Sequence, residues 1–178
     1  MKIFGIGGVP ASGKSTIVEE FIRAHMNEVV LFAAMRVKGI ADLEREIVVL
    51  GRYGMKFGGT DRLAFNVMPD FKRWMATMQN DFPACRILFE GDRLFNGKAI
   101  EFLTNLDIET QFCILDVDPF ERDKRAKDRD DSHTQKFVKS RRTKYKNLSV
   151  KYNIPIVPNN NWKESELFIK SIAKFFNL

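Results

Sequence analysis

Nine residues near the amino terminus constrain this chain more than any others. Gly8-Val9-Pro10-Ala11-Ser12-Gly13-Lys14-Ser15-Thr16 fits the pattern Gly, any four residues, Gly-Lys-Ser/Thr. Before it, Ile3, Phe4 and Ile6 mark Met1–Gly7 as a short strand; after it, Ile17, Val18, Phe21, Ile22 and Ala24 recur at helical spacing. A strand that turns through glycines into a helix makes an anion cradle. Gly8 and Gly13 enter dihedrals closed to other residues, which lets backbone N–H groups face inward. The new helix adds unpaired N–H groups and a partial positive charge. In such a loop Ala11, Ser12, Gly13 and Thr16 surround a nucleotide's phosphates, Lys14 reaches the outer ones, and the Ser15 hydroxyl holds Mg2+. The competing reading is a chance glycine turn before a helix. At about 7% glycine the four fixed positions coincide by accident in roughly one chain in a few hundred.

The rest of the chain alternates apolar runs with helical patterns. Strands are expected at Lys2–Gly7, Glu28–Ala33, Ile47–Leu50, Arg86–Glu90, Gln111–Asp116 and Ile154–Val157. Helices are expected at Ser15–Met26, Ala41–Glu46, Met68–Gln79, Lys98–Asn105, Pro119–Asp128, Thr134–Lys151 and Glu164–Phe176. This alternation predicts an α/β fold, a central parallel sheet flanked by helices, with ligands at the carboxyl ends of the strands. At 178 residues, one domain spanning 1–178 is expected. No run of 18 apolar residues suggests a membrane span, and Met1 opens no signal peptide. Cys85 and Cys113 lack metal spacing and read as small buried residues of a cytoplasmic protein. The Asn159-Asn160-Asn161 run reads as a loop.

Charge is concentrated. Residues 121–151 carry 12 Lys/Arg against 5 Asp/Glu, a net of +7, while the whole chain is +6. Such a segment reads as a local electrostatic feature and favours a polyanionic partner.

Three further segments carry candidate chemistry. In Arg86-Ile87-Leu88-Phe89-Glu90-Gly91-Asp92-Arg93 an apolar strand ends in acids. Glu90 is the first choice for magnesium support; Asp92 either shares that work or acts as base, and Arg93 is a substrate-side cation. In Gly58-Gly59-Thr60-Asp61-Arg62-Leu63 an acid sits beside an arginine after a glycine-rich, basic loop. An alcohol attacking phosphorus needs a carboxylate to take its proton and a cation to offset charge on the γ-phosphate, roles that suit Asp61 and Arg62. The alternative is that Asp61 merely caps a helix. In the basic segment, Arg122, Arg125 and Arg129 fall three and four apart and suit a lid, with Arg125 and Arg129 the firmer pair. Phe137, Arg141, Tyr145, Leu148 and Tyr152 form a second stripe, in which Arg141 either snorkels or projects into the site. Lys139 and Arg142 fall beside it as further substrate-side cations.

Neither an Asn-Lys-x-Asp base-reading motif nor a Leu-Ser-Gly-Gly-Gln signature is present, which argues against a GTPase or a transporter-type ATPase. The glycine loop, Gly-Thr-Asp-Arg-Leu, Phe-Glu-Gly-Asp-Arg-Leu-Phe and Phe-Val-Lys-Ser-Arg-Arg-Thr-Lys occur in that order. In this the chain resembles small bacteriophage P-loop kinases, and most closely the 5-hydroxymethyluracil DNA kinase family. The resemblance runs from Met1 to about Lys151. It implies a P-loop kinase fold and ATP-dependent transfer to the base hydroxymethyl group within DNA. More distantly the layout looks like the kinase domain of phage polynucleotide kinase, in which a segment comparable to that of Asp61 supplies the base. A kinase for free nucleosides or nucleotides and a non-catalytic ATP-binding module are the competing expectations. If a modified base must be extruded, Tyr145 or a ring in Tyr53–Phe57 is a candidate to stack on it.

Overall fold

The structure is a computed structural model that describes residues 1–54, 58–131 and 133–178. Seven strands form one sheet: β1 (Lys2–Gly8), β2 (Val30–Ala34), β3 (Val37–Asp42), β4 (Ile47–Leu50), β5 (Arg86–Glu90), β6 (Glu109–Asp116) and β7 (Ile156–Pro158). Six helices accompany them: α1 (Lys14–His25), α2 (Met68–Asp81), α3 (Gly97–Thr104), α4 (Pro119–Asp128), α5 (Gln135–Tyr152) and α6 (Trp162–Phe176). Strand order is β2-β3-β4-β5-β1-β6-β7.

The sheet is mixed rather than wholly parallel. Strands β4, β5, β1, β6 and β7 run parallel, whereas β3 is antiparallel to both β2 and β4. The expected helix at Ala41–Glu46 is therefore absent. Ala41 and Asp42 end β3, and the chain turns back into β4. Asp42 is buried and accepts the backbone N–H groups of Asn27 (2.7 Å) and Arg45 (3.0 Å), which fixes that turn.

Period-two alternation along the strands divides the core between the two sheet faces. Ile3, Ile87 and Phe89 point to one face, packed with Phe71, Trp74 and Met75 of α2, Ile100 and Leu103 of α3, and Tyr145 of α5. Phe4, Ile6 and Leu88 point to the other, packed with Ile17, Val18 and Phe21 of α1 and Phe168, Ile172 and Phe176 of α6. Glycines in β1 make room for rings: a Cβ at Gly7 would lie 2.5 Å from Phe95 Cε1. The helix starts Asn96, Asp118, Thr134 and Asn161 each accept a backbone N–H in their side chains. Cys85 and Cys113 are buried free thiols, both pushed up to about 12 by burial. Among the described residues no helix is long and apolar enough to cross a membrane.

Candidate functional site

Strand β1 lies between β5 and β6, and the chain leaves its carboxyl end through Gly8–Gly13 into α1. Ligand crevices form at such a point. The loop coils back on itself, with left-handed backbone at Ala11 (φ 62°) and Gly13 (φ 92°). Gly13 has no alternative, since a Cβ there would lie 2.3 Å from Asn159 Nδ2. Helix α1 opens with no side-chain cap and no acid in its first turn, so its leading N–H groups face the loop unneutralised. Among the described residues the buried Ser12 Oγ has no hydrogen-bond partner. Lys14 Nζ donates to Gly8 O (2.9 Å) and Val9 O (3.0 Å), drawn back over the loop.

Alternation puts Glu90, one residue beyond Phe89, on the α1 face of the sheet. Pairing of Ile6 with Glu90 sets it level with the start of the loop. Ser15 Oγ donates to Glu90 Oε1 at 2.8 Å. Burial pushes the Glu90 carboxyl up to about 7, against the opposing pull of the Lys14 charge and the Ser15 hydrogen bond. Gly59 (φ 82°) seals the other side: a Cβ there would lie 2.0 Å from Glu90 Oε1. Thr60 is buried and its hydroxyl donates to Glu90 O (2.7 Å), tying a 3-10 turn at Thr60–Arg62 to the end of β5.

That turn presents Asp61 and Arg62, both exposed, at the cleft. Asp61 caps no helix. Its Oδ1 accepts the backbone N–H of Arg93 (3.1 Å), which orients the carboxylate from the neighbouring strand-end segment. Asp92 sits in a different environment. Lys144 Nζ donates to it at 2.7 Å, Tyr145 Oη donates as well, and Arg141 Nε is ion-paired with it at 3.0 Å without hydrogen-bond alignment. Burial alone would raise the Asp92 carboxyl, but the Lys144 and Tyr145 hydrogen bonds and the nearby cations outweigh it and hold it below its usual value.

The cleft has a volume of about 340 Å³ and is lined by Gly8, Pro10, Ala11, Gly13, Lys14, Ser15, Gly58, Asp61, Arg62, Glu90, Asp92, Arg129, Asp131, His133, Phe137 and Tyr145. The glycine loop, Asp61 and Arg62, Glu90 and Asp92, and Arg129 thus line one cleft. Arg129 Nη2 donates to Thr16 Oγ1 (2.7 Å), and Arg125 Nη1 donates to Asn159 O (2.8 Å) while its Nε pairs with Glu121. Arg122 is buried away from them, paired with Asp123 at 2.5 Å. Tyr145 lines the cleft with its hydroxyl on Asp92 and its ring against Phe95, whereas Arg141 does not line it and pairs with Asp92. Lys139 and Arg142 are exposed and do not line the cleft; Arg142 reaches toward Asp116 at 3.8 Å. Tyr53 packs on the α1 side of the core with its hydroxyl on Leu50 O, and Phe57 lies outside the described residues.

Sequence reasoning missed Asp131, His133 and Phe137 on the wall, and Asn159 behind the loop. Asn159 donates to Ser12 O (2.7 Å) and accepts from Ser165 Oγ (2.6 Å), so it braces the loop from the end of β7. Its sequence signal, three asparagines in a row, names a turn and not a partner.

Among the described residues no cluster of three or more His, Cys, Asp or Glu is built to hold a metal alone. Ser15 and Glu90 instead offer two hard oxygens beside an anion cradle, which suits a cation that shares its shell with phosphate and water. No protein-family model matches the chain, and no curated protein matches it.

Proposed function

We propose that this chain is a magnesium- and ATP-dependent phosphotransferase, a small P-loop kinase. One observation carries the reading. The glycine loop, the Ser15–Glu90 pair and the open carboxylate of Asp61 face a single cleft at the ends of parallel strands. The acceptor we propose is the hydroxymethyl group of 5-hydroxymethyluracil within DNA. The order of the segments that resemble such kinases supports that choice, as does the net +7 of residues 121–151.

The loop N–H groups and the start of α1 hold the phosphates of ATP. Lys14 exchanges Gly8 O and Val9 O for the outer phosphate oxygens. Ser15 and Glu90 would hold magnesium, which when bound would neutralise charge on those oxygens. Asp61 takes the proton of the acceptor hydroxyl as its oxygen bonds to the γ-phosphorus, and the bond from that phosphorus to the β-bridging oxygen breaks to release ADP. Arg62, Arg125 and Arg129 supply cations for the charge that spreads over the transferring group, Arg125 and Arg129 as a lid from α4. Asp92, already held by two hydrogen-bond donors and the Arg141 ion pair, serves as an anchor for α5 rather than as the base.

The test is incubation with magnesium and γ-labelled ATP in three arms: DNA containing 5-hydroxymethyluracil, the free nucleoside with its monophosphate, and no acceptor. Label entering the DNA is the expected result. Label in the nucleoside arm with inert DNA makes the protein a nucleoside or nucleotide kinase. ATP binding with no transfer in any arm makes it a regulatory module.

A further inference from the structure

Phe65 is 87% exposed, a large apolar ring left in water three residues after Arg62. The Arg93 guanidinium lies over it, 5.0 Å from the ring centroid. Arg93 is half-buried, and its Nε–H is buried without a hydrogen-bond partner among the described residues. An arginine that leaves a donor unmet while lying over an exposed ring is held as a flat surface, not as a charge seeking a carboxylate. The pair is anchored to the site: the Arg93 backbone N–H is the group that orients Asp61. Arg93 and Phe65 are both absent from the cleft lining, although Asp61, Arg62 and Asp92, their chain neighbours, belong to it. The platform therefore adjoins Asp61 without lining the cleft.

Other rings near the cleft are less able to take a ligand. Tyr145 is buried with its hydroxyl spent on Asp92, and Phe137 is half-buried with the His133 ring 4.7 Å from it as well as a guanidinium, whereas Phe65 is exposed beside its arginine.

We infer that Phe65 and Arg93 form a stacking platform for an unpaired nucleobase next to the acceptor nucleotide, so that the enzyme engages a single strand rather than a lone nucleoside. Every base has a π-face, so a ring of this kind tolerates sequence while rewarding an unstacked strand. The inference rests on the proposed transfer to DNA and adds which part of the strand is gripped outside the cleft.

The probe is an unmodified single-stranded oligothymidylate of about ten nucleotides, titrated by fluorescence anisotropy without ATP and compared with the same length of duplex. Phe65→Ala is expected to weaken single-strand binding roughly 5- to 150-fold, the loss of one base–aromatic stack. Its melting temperature should not change, because the side chain is exposed. Phe65→Trp should restore binding. In the transfer assay Phe65→Ala should raise KM for modified DNA while kcat and the KM for ATP stay constant. Wild-type affinity in Phe65→Ala, failure of Phe65→Trp to restore it, or equal binding of duplex and single strand would each overturn the platform. Because the anisotropy arm involves no phosphate transfer, loss of the platform and loss of the kinase reading give different results.

Discussion

Asp61 and Asp92 stand in one cleft and differ in what holds them. Asp61 is exposed at the cleft and oriented by the backbone N–H of Arg93. Asp92 is committed to Lys144, Tyr145 and Arg141. Asp61→Asn keeps the shape and the Arg93 contact and should lower turnover roughly 10²–10⁴-fold with little change in melting temperature. Asp92→Asn should instead lower the melting temperature, since it leaves two cations of α5 without their counter-ion. Steady-state kinetics beside thermal unfolding of both variants decides; a dead, fully stable Asp92→Asn with an active Asp61→Asn would move the base to Asp92. Lys14→Ala should abolish transfer and spare the fold, because among the described residues Lys14 Nζ hydrogen-bonds to the loop carbonyls of Gly8 and Val9 and to no core group. A well-folded, fully active Lys14→Ala would remove the loop from the mechanism. Lys14, Ser15, Glu90 and Asp61 were legible in the sequence because short local patterns place them. The Asp92 partnership was not, since its donors lie 52 and 53 residues away and meet it only through tertiary packing.

At the scale of elements, α4 and β5 lie where the apolar periodicity puts them, Pro119–Asp128 and Arg86–Glu90. The error falls at β3. Val37–Asp42 includes Gly39, and the next residues, Leu43 to Glu46, supply a helix-like spacing that the hairpin overrides. Asp42 closes the turn on the nearby Arg45 N–H and also on that of Asn27, 15 residues away, a partner that a sequence window does not show. Those bonds, the Asn27 one foremost, hold its carboxyl below the ordinary 3.8 although burial opposes them. A depressed folded value stabilises the protein above the unfolded value, and that contribution is lost as pH falls through the folded one. Asp42→Asn should therefore lower the melting temperature by about 2–4 °C at pH 7, and the gap from wild type should narrow as pH drops below 3.8. Unfolding scans across pH check this; a gap that stays constant through acid would show that the turn does not depend on the charge.

Across the whole molecule, the strand order that sets β1 between β5 and β6 could not be read from the chain, because each pairing joins distant segments. The charge distribution could, and the structure sorts it by helix face. On α5, Lys144, Arg141 and Tyr145 turn inward to Asp92. Lys136, Lys139, Arg142 and Lys146 are exposed, and at 100° per residue they fall within an arc of about 120° on the other side. The cations of α5 before its last turn thus divide into an internal clamp and an external stripe, and the stripe is disposed to meet a polyanion. If about four phosphates of a single strand are neutralised there, the log–log dependence of affinity on salt should have a slope near −3. Removing two of the cations, as in Lys139→Ala with Lys146→Ala, should cut the slope by roughly 1.4 and weaken binding alike for every sequence. Phe65→Ala should weaken binding with the slope intact, since it removes no charge. Titrations at several salt concentrations separate the two effects. A slope near zero, or one that the double alanine variant leaves unchanged, would mean that the stripe is merely a solvated face and that the substrate is held at the cleft alone, as a free nucleoside would be.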